Sequence, residues 1–366
     1  MNQLVKSPHK PDLIPSMQTE PGYLPIFQTT RGGTVECVYH GAVAVIDPQG
    51  QLIAHHGNPA TVTFLRSSAK PFQALPFLEM GGWDKFQLTP QELALICSSH
   101  SGTKEHLQVL HTLQQKIGLS EADLKCGTHP PLHVPSQRVL RDSGHAPSPN
   151  HHNCSGKHTG MLAQAVLLQA DMESYLEPDH PVQQQIRRTV LEMCSLEASQ
   201  LKLGTDGCSV PTFAMPLKNA ALGWARLVDP AEFPSPRRSS CGRITSAMTD
   251  HPYYVAGPGR LDTLLMEITD GKITSKGGAE AFQALGILPG VQDDHAPALG
   301  IALKISDGDK GKQIKDAVVI EVLRQLNILD KDQLEALHEF GPEFPIFNQR
   351  SLEVGWGRPC FQLTVS

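Results

Sequence analysis

Proline and glycine interrupt this sequence so often that they limit the length of every element it can form. The 366-residue chain contains 29 prolines and 31 glycines. Proline disrupts helices and central strands, and both residues mark turns. They cut every apolar run well short of the roughly 18 residues that a membrane-spanning helix needs. We therefore expect short helices and strands joined by ordered loops.

Composition and charge are those of a globular, enzyme-sized protein. Apolar residues make up 40% of the chain and charged residues 19%, which is enough for a full hydrophobic core. The net charge of −6 and the lack of a long Lys or Arg run argue against nucleic-acid and membrane-surface partners. We predict a flexible leader over residues 1–22. Residues 23–366 are predicted to form a single catalytic domain, with two subdomains as the alternative.

The N-terminus and the cysteines indicate an intracellular protein. No apolar stretch follows Lys6 and Lys10, so no secretory signal is expected. The eight cysteines are scattered without the spacing of a secreted disulfide scaffold. We predict reduced thiols and a cytoplasmic location.

Local signals predict strands near both ends and helices between them. Asp47-Pro-Gln-Gly50 has the proline and glycine that a type I turn prefers, between apolar runs that read as a hairpin. Thr89-Pro-Gln-Glu92 is a helix start with a capping box. Further helices are predicted over residues 107–117, 161–168, 182–193 and 314–326, and strands over residues 272–276 and 301–305. Residues 126–156 are predicted to form a long irregular loop. The pattern favours an α+β fold, an antiparallel sheet packed with helices.

A serine and a lysine three residues apart form the first candidate catalytic pair. In Ser67-Ser-Ala-Lys70, one helical turn brings the ammonium beside the Ser67 hydroxyl. A lysine kept neutral by burial or by nearby positive charge can remove the hydroxyl proton and make the serine a nucleophile. The same spacing recurs at Ser7, Ser101 and Ser199, and Ser67 also fits a helix cap. The spacing alone leaves both interpretations open.

Two more polar clusters are candidates for the same site. Cys97-Ser-Ser-His-Ser-Gly102 lies at the end of the helix that starts at Thr89, and a simple turn is the alternative. Ser275-Lys-Gly-Gly278 ends a predicted strand, where glycines allow a ligand to approach the backbone, although lysine-glycine pairs also end surface strands. The three clusters follow the order of the motifs in penicillin-recognising enzymes.

Two cysteines lie in polar segments that suit a metal ion. Cys154 falls within Asn150-His-His-Asn-Cys-Ser-Gly-Lys-His-Thr159, and Cys208 ends Gly204-Thr-Asp-Gly-Cys208. Thiolates beside nitrogen or oxygen donors suit zinc. The sequence has no Cys-x-x-Cys pair and no fourth ligand at a standard spacing. Purely structural cysteines are therefore the alternative.

Taken together, these segments resemble the class 3 (rhizobial-type) L-asparaginases. Asn153-Cys-Ser-Gly-Lys-His158 and Gly204-Thr-Asp-Gly-Cys208 are the most specific of them. In the family's order, the similar segments are residues 65–72, 97–102, 152–160, 204–211, 255–262, 275–280 and 302–307. Residues 235–243 match nothing in the family. The resemblance implies a fold like that of serine β-lactamases and glutaminases, and a homodimer.

The resemblance also implies roles for individual residues. The implied catalytic pairs are Ser67 with Lys70 and Ser99 with Lys276. A zinc ion is implied at Cys154, Lys157 and Cys208, with water completing the set. For the substrate, we assign Arg66 to the α-carboxylate and Asp206 to the α-ammonium or to the surroundings of the zinc, and we count His100 and Glu280 as further substrate contacts.

The implied reaction is hydrolysis of L-asparagine to L-aspartate and ammonia. Neutral Lys70 takes the proton of Ser67, which attacks the amide, while Ser99 and Lys276 relay protons and backbone N–H groups near Ser67 hold the oxyanion. A glutaminase is the nearest rival, because its substrate differs by one methylene. A penicillin-recognising hydrolase should carry an export signal, and a non-catalytic zinc-binding module would leave the serine and lysine clusters unexplained.

Overall fold

A computed structural model describes residues 22–311 and 313–366. Nearly all of the predicted leader lies outside these residues, and the division into leader and catalytic domain remains a prediction. The strands of the described part are β1 (Leu24–Arg31), β2 (Thr34–Ile46), β3 (Leu52–His56), β4 (Val62–Phe64), β5 (Lys202–Thr205), β6 (Pro211–Pro216), β7 (Ile273–Gly277), β8 (Phe282–Ile287), β9 (Leu299–Ile305), β10 (Phe344–Phe347), β11 (Glu353–Pro359) and β12 (Thr364–Val365).

The helices alternate with these strands mainly in the middle of the chain. They are α1 (Lys70–Glu79), α2 (Gly82–Lys85), α3 (Pro90–Ile96), α4 (Lys104–Ile117), α5 (Val134–Asp142), α6 (Ser155–Leu168), α7 (Pro181–Met193), α8 (Leu217–Val228), α9 (Ser235–Asp250), α10 (Pro252–Val255), α11 (Leu261–Ile268), α12 (Gln313–Gln325) and α13 (Lys331–Ala336). Three short 3-10 helices cover Arg66–Ala69, Glu121–Asp123 and Pro149–His151.

Nine of the strands form one antiparallel sheet. Its main path runs β10-β11-β1-β2-β9-β8-β7, and β3 pairs with the second half of β2 and with β12. A separate antiparallel sheet has the order β4-β6-β5. The first and last strands of the described part therefore belong to one sheet, with most helices between them in sequence. The predicted α+β architecture is confirmed.

The centre of the main sheet, formed by the second half of β2 with β8 and β9, is buried on both faces, and successive residues of each strand point to opposite faces. Ala42 and Ala44 of β2 join a core with the helical region, whereas Val43 and Val45 pack on the other face with α12. Small residues on the first face let α8 lie close to the sheet. At Gly300 of β9, an added Cβ would come within 1.8 Å of the Ala221 carbonyl oxygen of α8. Any larger residue there would push the helix away.

The strongest local predictions are confirmed. In the hairpin, the Gly50 N–H donates to the Asp47 carbonyl, and Val45 of β2 pairs with Ala54 of β3. Helix α3 begins with the predicted capping box, in which Thr89 and Glu92 satisfy each other's backbone N–H groups. All eight cysteines fall within the described residues and are free, as expected for reduced thiols.

The predicted loop over residues 126–156 is wrong in part, because it contains helix α5. Pro135 supplies the first-turn residue of this helix, yet the side chains of Val134 and Val139 are exposed and none of its residues is buried. Apolar residues are few in this short helix, and the prolines, glycines and serines around it indicated a loop. Residues 235–243, which matched nothing, form the first half of α9.

No helix within the described ranges is long and apolar enough to span a bilayer. The elements that matter for function converge from distant parts of the chain. They are the 3-10 turn before α1, the end of α3, the start of α6, the start of α11 and the end of β7.

Candidate active site

Lys70 lies beneath a polar pocket and contacts one of the predicted serines. It is the first residue of α1, only 1% exposed, and its backbone N–H donates to the Ser67 carbonyl. Its Nζ lies 3.0 Å from Ser99 Oγ and also donates to the carbonyl oxygens of Ser98 and Asn153. The end of α3 thus delivers Ser99 to the lysine that opens α1.

This contact differs from the predicted pairing. The hydroxyl that touches the Lys70 amine belongs to Ser99, and within the described residues Ser67 Oγ makes no hydrogen bond. Ser67 is half-buried and lines the same pocket as Ser99. The approach of α3 to α1 decides which hydroxyl reaches the amine, and spacing along the chain carries no information about that approach.

Lys276 ends β7 on the other side of the pocket and is fully buried. Its Nζ donates to the Gly277 carbonyl at 2.9 Å, and its own carbonyl accepts from Ser68 Oγ at 2.6 Å. At Gly278 an added Cβ would come within 2.5 Å of the Leu65 carbonyl oxygen. Glycine therefore allows the end of β7 to lie directly against the turn that carries Ser67.

A buried carboxylate fixes this strand end. Asp262, at the start of α11, accepts hydrogen bonds from Ser275 Oγ, the Gly277 N–H and Gln283 Nε2 at 2.7–2.9 Å. Burial alone would raise the pKa of Asp262, but Lys276, Lys315 and Arg260 together hold it well below its usual range. The residue is an anion that orients the Lys276–Gly277 backbone.

Both pocket lysines have a depressed pKa. Burial lowers the pKa of Lys70, and the charge of Lys157 adds to the effect against the opposing influence of Cys154. Burial also lowers the pKa of Lys276 to about 7, although Asp262 acts in the opposite direction. For Lys276 a neutral amine is therefore accessible near neutral pH, and the shift of Lys70 favours its neutral form, which general-base catalysis by lysine requires.

The three predicted metal ligands converge behind Lys70. Lys157 Nζ donates a hydrogen bond to Cys208 Sγ at 2.9 Å. The Cys208 side chain, with the charges of Lys70 and Lys157, lowers the pKa of Cys154 well below its usual value, against the effect of burial. The two sulfurs and Asp206 raise the pKa of Lys157 above its usual value, overcoming the effect of burial.

Two soft sulfurs and one nitrogen, all buried, form a donor set compatible with zinc. The set does not extend to other common ligands. Residues 22–311 and 313–366 contain no group of three or more His, Cys, Asp or Glu side chains arranged to hold a metal ion. A fourth ligand would therefore have to come from solvent or substrate.

The residues predicted to contact substrate fall into two groups. Arg66 Nε donates to Asp206 Oδ1 at 2.7 Å, so these two side chains satisfy each other, and neither lines the pocket. His100 is fully buried, with Nε2 2.7 Å from Ser155 Oγ and Nδ1 accepting from the Gly102 N–H. Burial lowers the pKa of His100 well below its usual value, so it is neutral. Only Glu280 lines the pocket.

The pocket has a volume of about 380 Å³, enough for a small amino acid. Ser67, Ser99 and Glu280 line it together with Arg260 and Asp262, which received no role from the sequence. Both belong to residues 255–262, one of the segments that resemble the L-asparaginase family. That resemblance was the available signal, and only the fold shows that the start of α11 reaches the pocket.

Comparison with known proteins identifies the chain. The sequence profile described as L-asparaginase II matches residues 27–359 and so places the chain among the amidohydrolases. It belongs to the L-asparaginase II family, as the sequence motifs predicted. No match was found among curated proteins.

Solved glutaminase structures align weakly with this chain. A probable glutaminase from Bacillus subtilis has 12% identity and a TM-score of 0.33, over 72% of this chain and 80% of that one. The Bacillus subtilis probable glutaminase complexed with 6-diazo-5-oxo-L-norleucine has 11% identity and a TM-score of 0.36, over 79% and 84%. Mglu in its native form has 12% identity and a TM-score of 0.40, over 80% and 66%. The assignment rests on the family match and not on these alignments.

Proposed function

We propose that the protein is an L-asparagine amidohydrolase that releases L-aspartate and ammonia by serine–lysine nucleophilic catalysis. One observation carries the mechanism: a buried lysine with a lowered pKa, Lys70, lies 3.0 Å from the Ser99 hydroxyl at a pocket that Ser67 also lines. Family membership supports the amide substrate. The pocket volume of about 380 Å³ suits a substrate of the size of asparagine.

The proposed nucleophile is Ser67, with the Ser99–Lys70 contact as its proton acceptor. Ser67 is the second residue of the 3-10 helix before α1, and a backbone N–H group near it is the proposed donor to the oxyanion. As its Oγ bonds to the amide carbon, its proton passes to Ser99, and the Ser99 proton passes to the Lys70 amine. The C–N bond then breaks, and Lys70 returns the proton to the departing nitrogen, which leaves as ammonia. An acyl-enzyme on Ser67 remains.

Water completes the cycle by attacking the acyl-enzyme. Neutral Lys276, with a pKa lowered to about 7, is the proposed base that takes a proton from this water, and the proton returns to Ser67 Oγ as the acyl bond breaks. Asp262 holds the Lys276–Gly277 backbone in place through the Gly277 N–H. The products are L-aspartate and regenerated Ser67.

We also propose a zinc ion held by Cys154, Lys157 and Cys208. The support is the convergence of two sulfurs and one nitrogen in a buried pocket, with Lys157 Nζ 2.9 Å from Cys208 Sγ. When bound, zinc would supply a fixed positive charge and Lewis acidity next to the serine–lysine pocket. Arg66 holds Asp206 beside this cluster, where Asp206 Oδ2 lies 4.0 Å from Cys208 Sγ.

We further propose that the protein acts as a homodimer in the cytoplasm. This proposal follows from the resemblance to the class 3 enzymes and from the eight free cysteines, which suit a reducing compartment. Light scattering on the purified protein tests the dimer, because a monomer at micromolar concentration would contradict it.

Ammonia release from L-asparagine and L-glutamine, measured side by side, tests the proposed function. Wild type is expected to prefer asparagine, and Ser67→Ala should lose at least about 1,000-fold in kcat because the attacking oxygen is gone. Ser68→Ala is a matched control, since Ser68 Oγ only donates to the Lys276 carbonyl. Turnover of glutamine alone would make the protein a glutaminase. An active Ser67→Ala with an inactive Ser99→Ala would transfer the nucleophile to Ser99.

A further inference from the structure

The charged side chains that line the pocket differ in whether the protein itself neutralises them. Asp262 accepts three hydrogen bonds from its surroundings. Lys315 pairs with Asp316 at 2.7 Å and donates to Gln283 Oε1 at 2.8 Å, and the Lys315 backbone N–H donates to Asp309. These groups are occupied. The lining charges whose side chains make neither an ion pair nor a hydrogen bond within the described residues are Arg260, Glu280 and Lys310.

Arg260 is the half-buried cation of this set, whereas Lys310 is exposed. The backbone of Arg260 is fixed by the start of α11, because its carbonyl accepts from the Leu264 N–H. Arg260 lines the pocket together with Ser67, Ser99 and Asp262, and its positive charge lowers the pKa of both Asp262 and Lys276. A guanidinium with no partner offers two parallel N–H donors, the geometry that a carboxylate matches.

Glu280 supplies the opposite charge in an unusual backbone conformation. Glu280 and Ala281 have φ of +56° and +54°, two consecutive left-handed residues without glycine. Such strain persists only where surrounding structure imposes it and is concentrated at ligand sites. A Cβ added to Gly308 would come within 2.7 Å of Glu280 Oε2, so glycine at 308 leaves room for this carboxylate at the pocket.

We propose that Arg260 binds the α-carboxylate of the substrate and Glu280 binds its α-ammonium, so that the pocket selects the amide of a zwitterionic α-amino acid. This assignment rests on the proposed function and deepens it. The carboxylate role expected for Arg66 passes to Arg260, because Arg66 is already bound to Asp206. An amide without the carboxylate leaves a half-buried guanidinium unpaired, which is costly, and the pocket therefore rejects it.

Two truncated substrates separate the two contacts. 3-Aminopropanamide is asparagine without the carboxylate, and succinamic acid is asparagine without the amino group. In Arg260→Gln, KM for asparagine should rise by about 100-fold with little change in kcat, the size expected for a lost charge-assisted contact. The kcat/KM for 3-aminopropanamide should change less than about threefold, because this amide lacks the carboxylate that Arg260 binds. Glu280 is more exposed than Arg260, so Glu280→Gln should raise KM for asparagine by less, about tenfold, with succinamic acid as the unaffected substrate.

Lys310→Gln is the matched control, because it removes the same charge from the exposed rim of the pocket. It should change KM for asparagine by less than about threefold, as expected for an exposed charge. If Arg260→Gln loses 3-aminopropanamide as strongly as asparagine, the arginine acts on the fold or on Lys276, and the assignment is overturned. An unchanged KM for asparagine in Arg260→Gln overturns it as well.

A binding measurement keeps this inference separate from the catalytic proposal. L-Homoserine carries the same α-carboxylate and α-ammonium but no amide, so calorimetry with it needs no turnover. Wild type should bind it, and Arg260→Gln should bind at least about 30-fold more weakly. If that loss is seen in a protein that releases no ammonia, the proposed function fails and the anchor stands. Equal binding by both proteins, or no binding by wild type, overturns the assignment of Arg260 to the α-carboxylate, whether or not the protein releases ammonia.

Discussion

Two buried lysines on either side of Lys70 differ in their protonation. Lys276 and Lys157 are both at most 3% exposed, and burial favours the neutral amine in both. Lys276 faces a single carboxylate, Asp262, which already accepts three hydrogen bonds, and its pKa falls to about 7. Lys157 touches Cys208 and lies near Cys154 and Asp206, and its pKa rises above its usual value.

The difference shows that burial alone does not define a catalytic lysine. What decides the outcome is the number of anionic groups that share the burial with the amine. The serine–lysine side of the pocket has few of them and can hold a neutral base. The thiol side is rich in them and holds Lys157 as a cation, whose proton the proposed zinc ion would replace. One chain thus builds a base and a cation site from the same residue type within one region.

Replacing Lys70 by Arg tests the serine–lysine side of the pocket and should have the largest effect on kcat. Arginine keeps the positive charge but has no accessible neutral form, so kcat should fall by at least about 1,000-fold at every pH. The measurement is ammonia release from asparagine between pH 6 and 10, with circular dichroism to confirm that the variant is folded. Substantial activity in the arginine variant would mean that Lys70 acts as a fixed charge rather than as a base.

Replacing Cys208 by Ser tests the thiol side of the pocket through its affinity for zinc. A hydroxyl is a poor substitute for a thiolate, so affinity for zinc should fall by roughly 100-fold or more, and most of the metal should be lost. Metal analysis should find close to one zinc per chain in wild type and little in the variant. Cys241→Ser is the matched control, because Cys241 is also buried but lies in α9 and should leave the zinc content unchanged. A zinc-free wild type, or full occupancy in Cys208→Ser, would exclude the site.

The same contrast separates what the sequence could predict from what it could not. Capping residues and turns are local signals, so the hairpin at Asp47–Gly50 and the start of α3 at Thr89 followed directly from residue types. The candidate site came from motifs whose residues do meet in space, since Ser67, Ser99 and Glu280 line one pocket. Which amine touches which hydroxyl depends on the approach of α3 to α1, and no spacing along the chain records that approach.

Arg66 and Arg260 illustrate the same limit for substrate binding. Both are arginines within segments that resemble the family, and the proximity of Arg66 to Ser67 favoured it as the carboxylate clamp. The fold places Asp206 against Arg66 and leaves Arg260 without a partner in the described part of the chain. Ion pairing between residues 140 positions apart is a tertiary property. It reassigns the role of a side chain without changing the motif.

The pH dependence of turnover is the smallest expected effect, and it measures the protonation of Lys276 in the intact enzyme. Burial is the largest influence on the pKa of Lys276 and lowers it, as do the charges of Lys70 and Arg260. Asp262 and Cys154 raise the pKa, and the result is about 7. A base must be neutral, so kcat/KM for asparagine should rise up to about tenfold per pH unit below about 7 and level off at alkaline pH, near or above about 8. Asp262→Asn removes the negative charge that raises the pKa of Lys276, so the midpoint should move to lower pH in whatever activity the variant retains.

Kinetics from pH 5.5 to 10 on wild type and Asp262→Asn test this prediction. An acidic optimum in wild type, or a midpoint that moves to higher pH in Asp262→Asn, would show that Lys276 works as a cation, as Lys157 does on the thiol side.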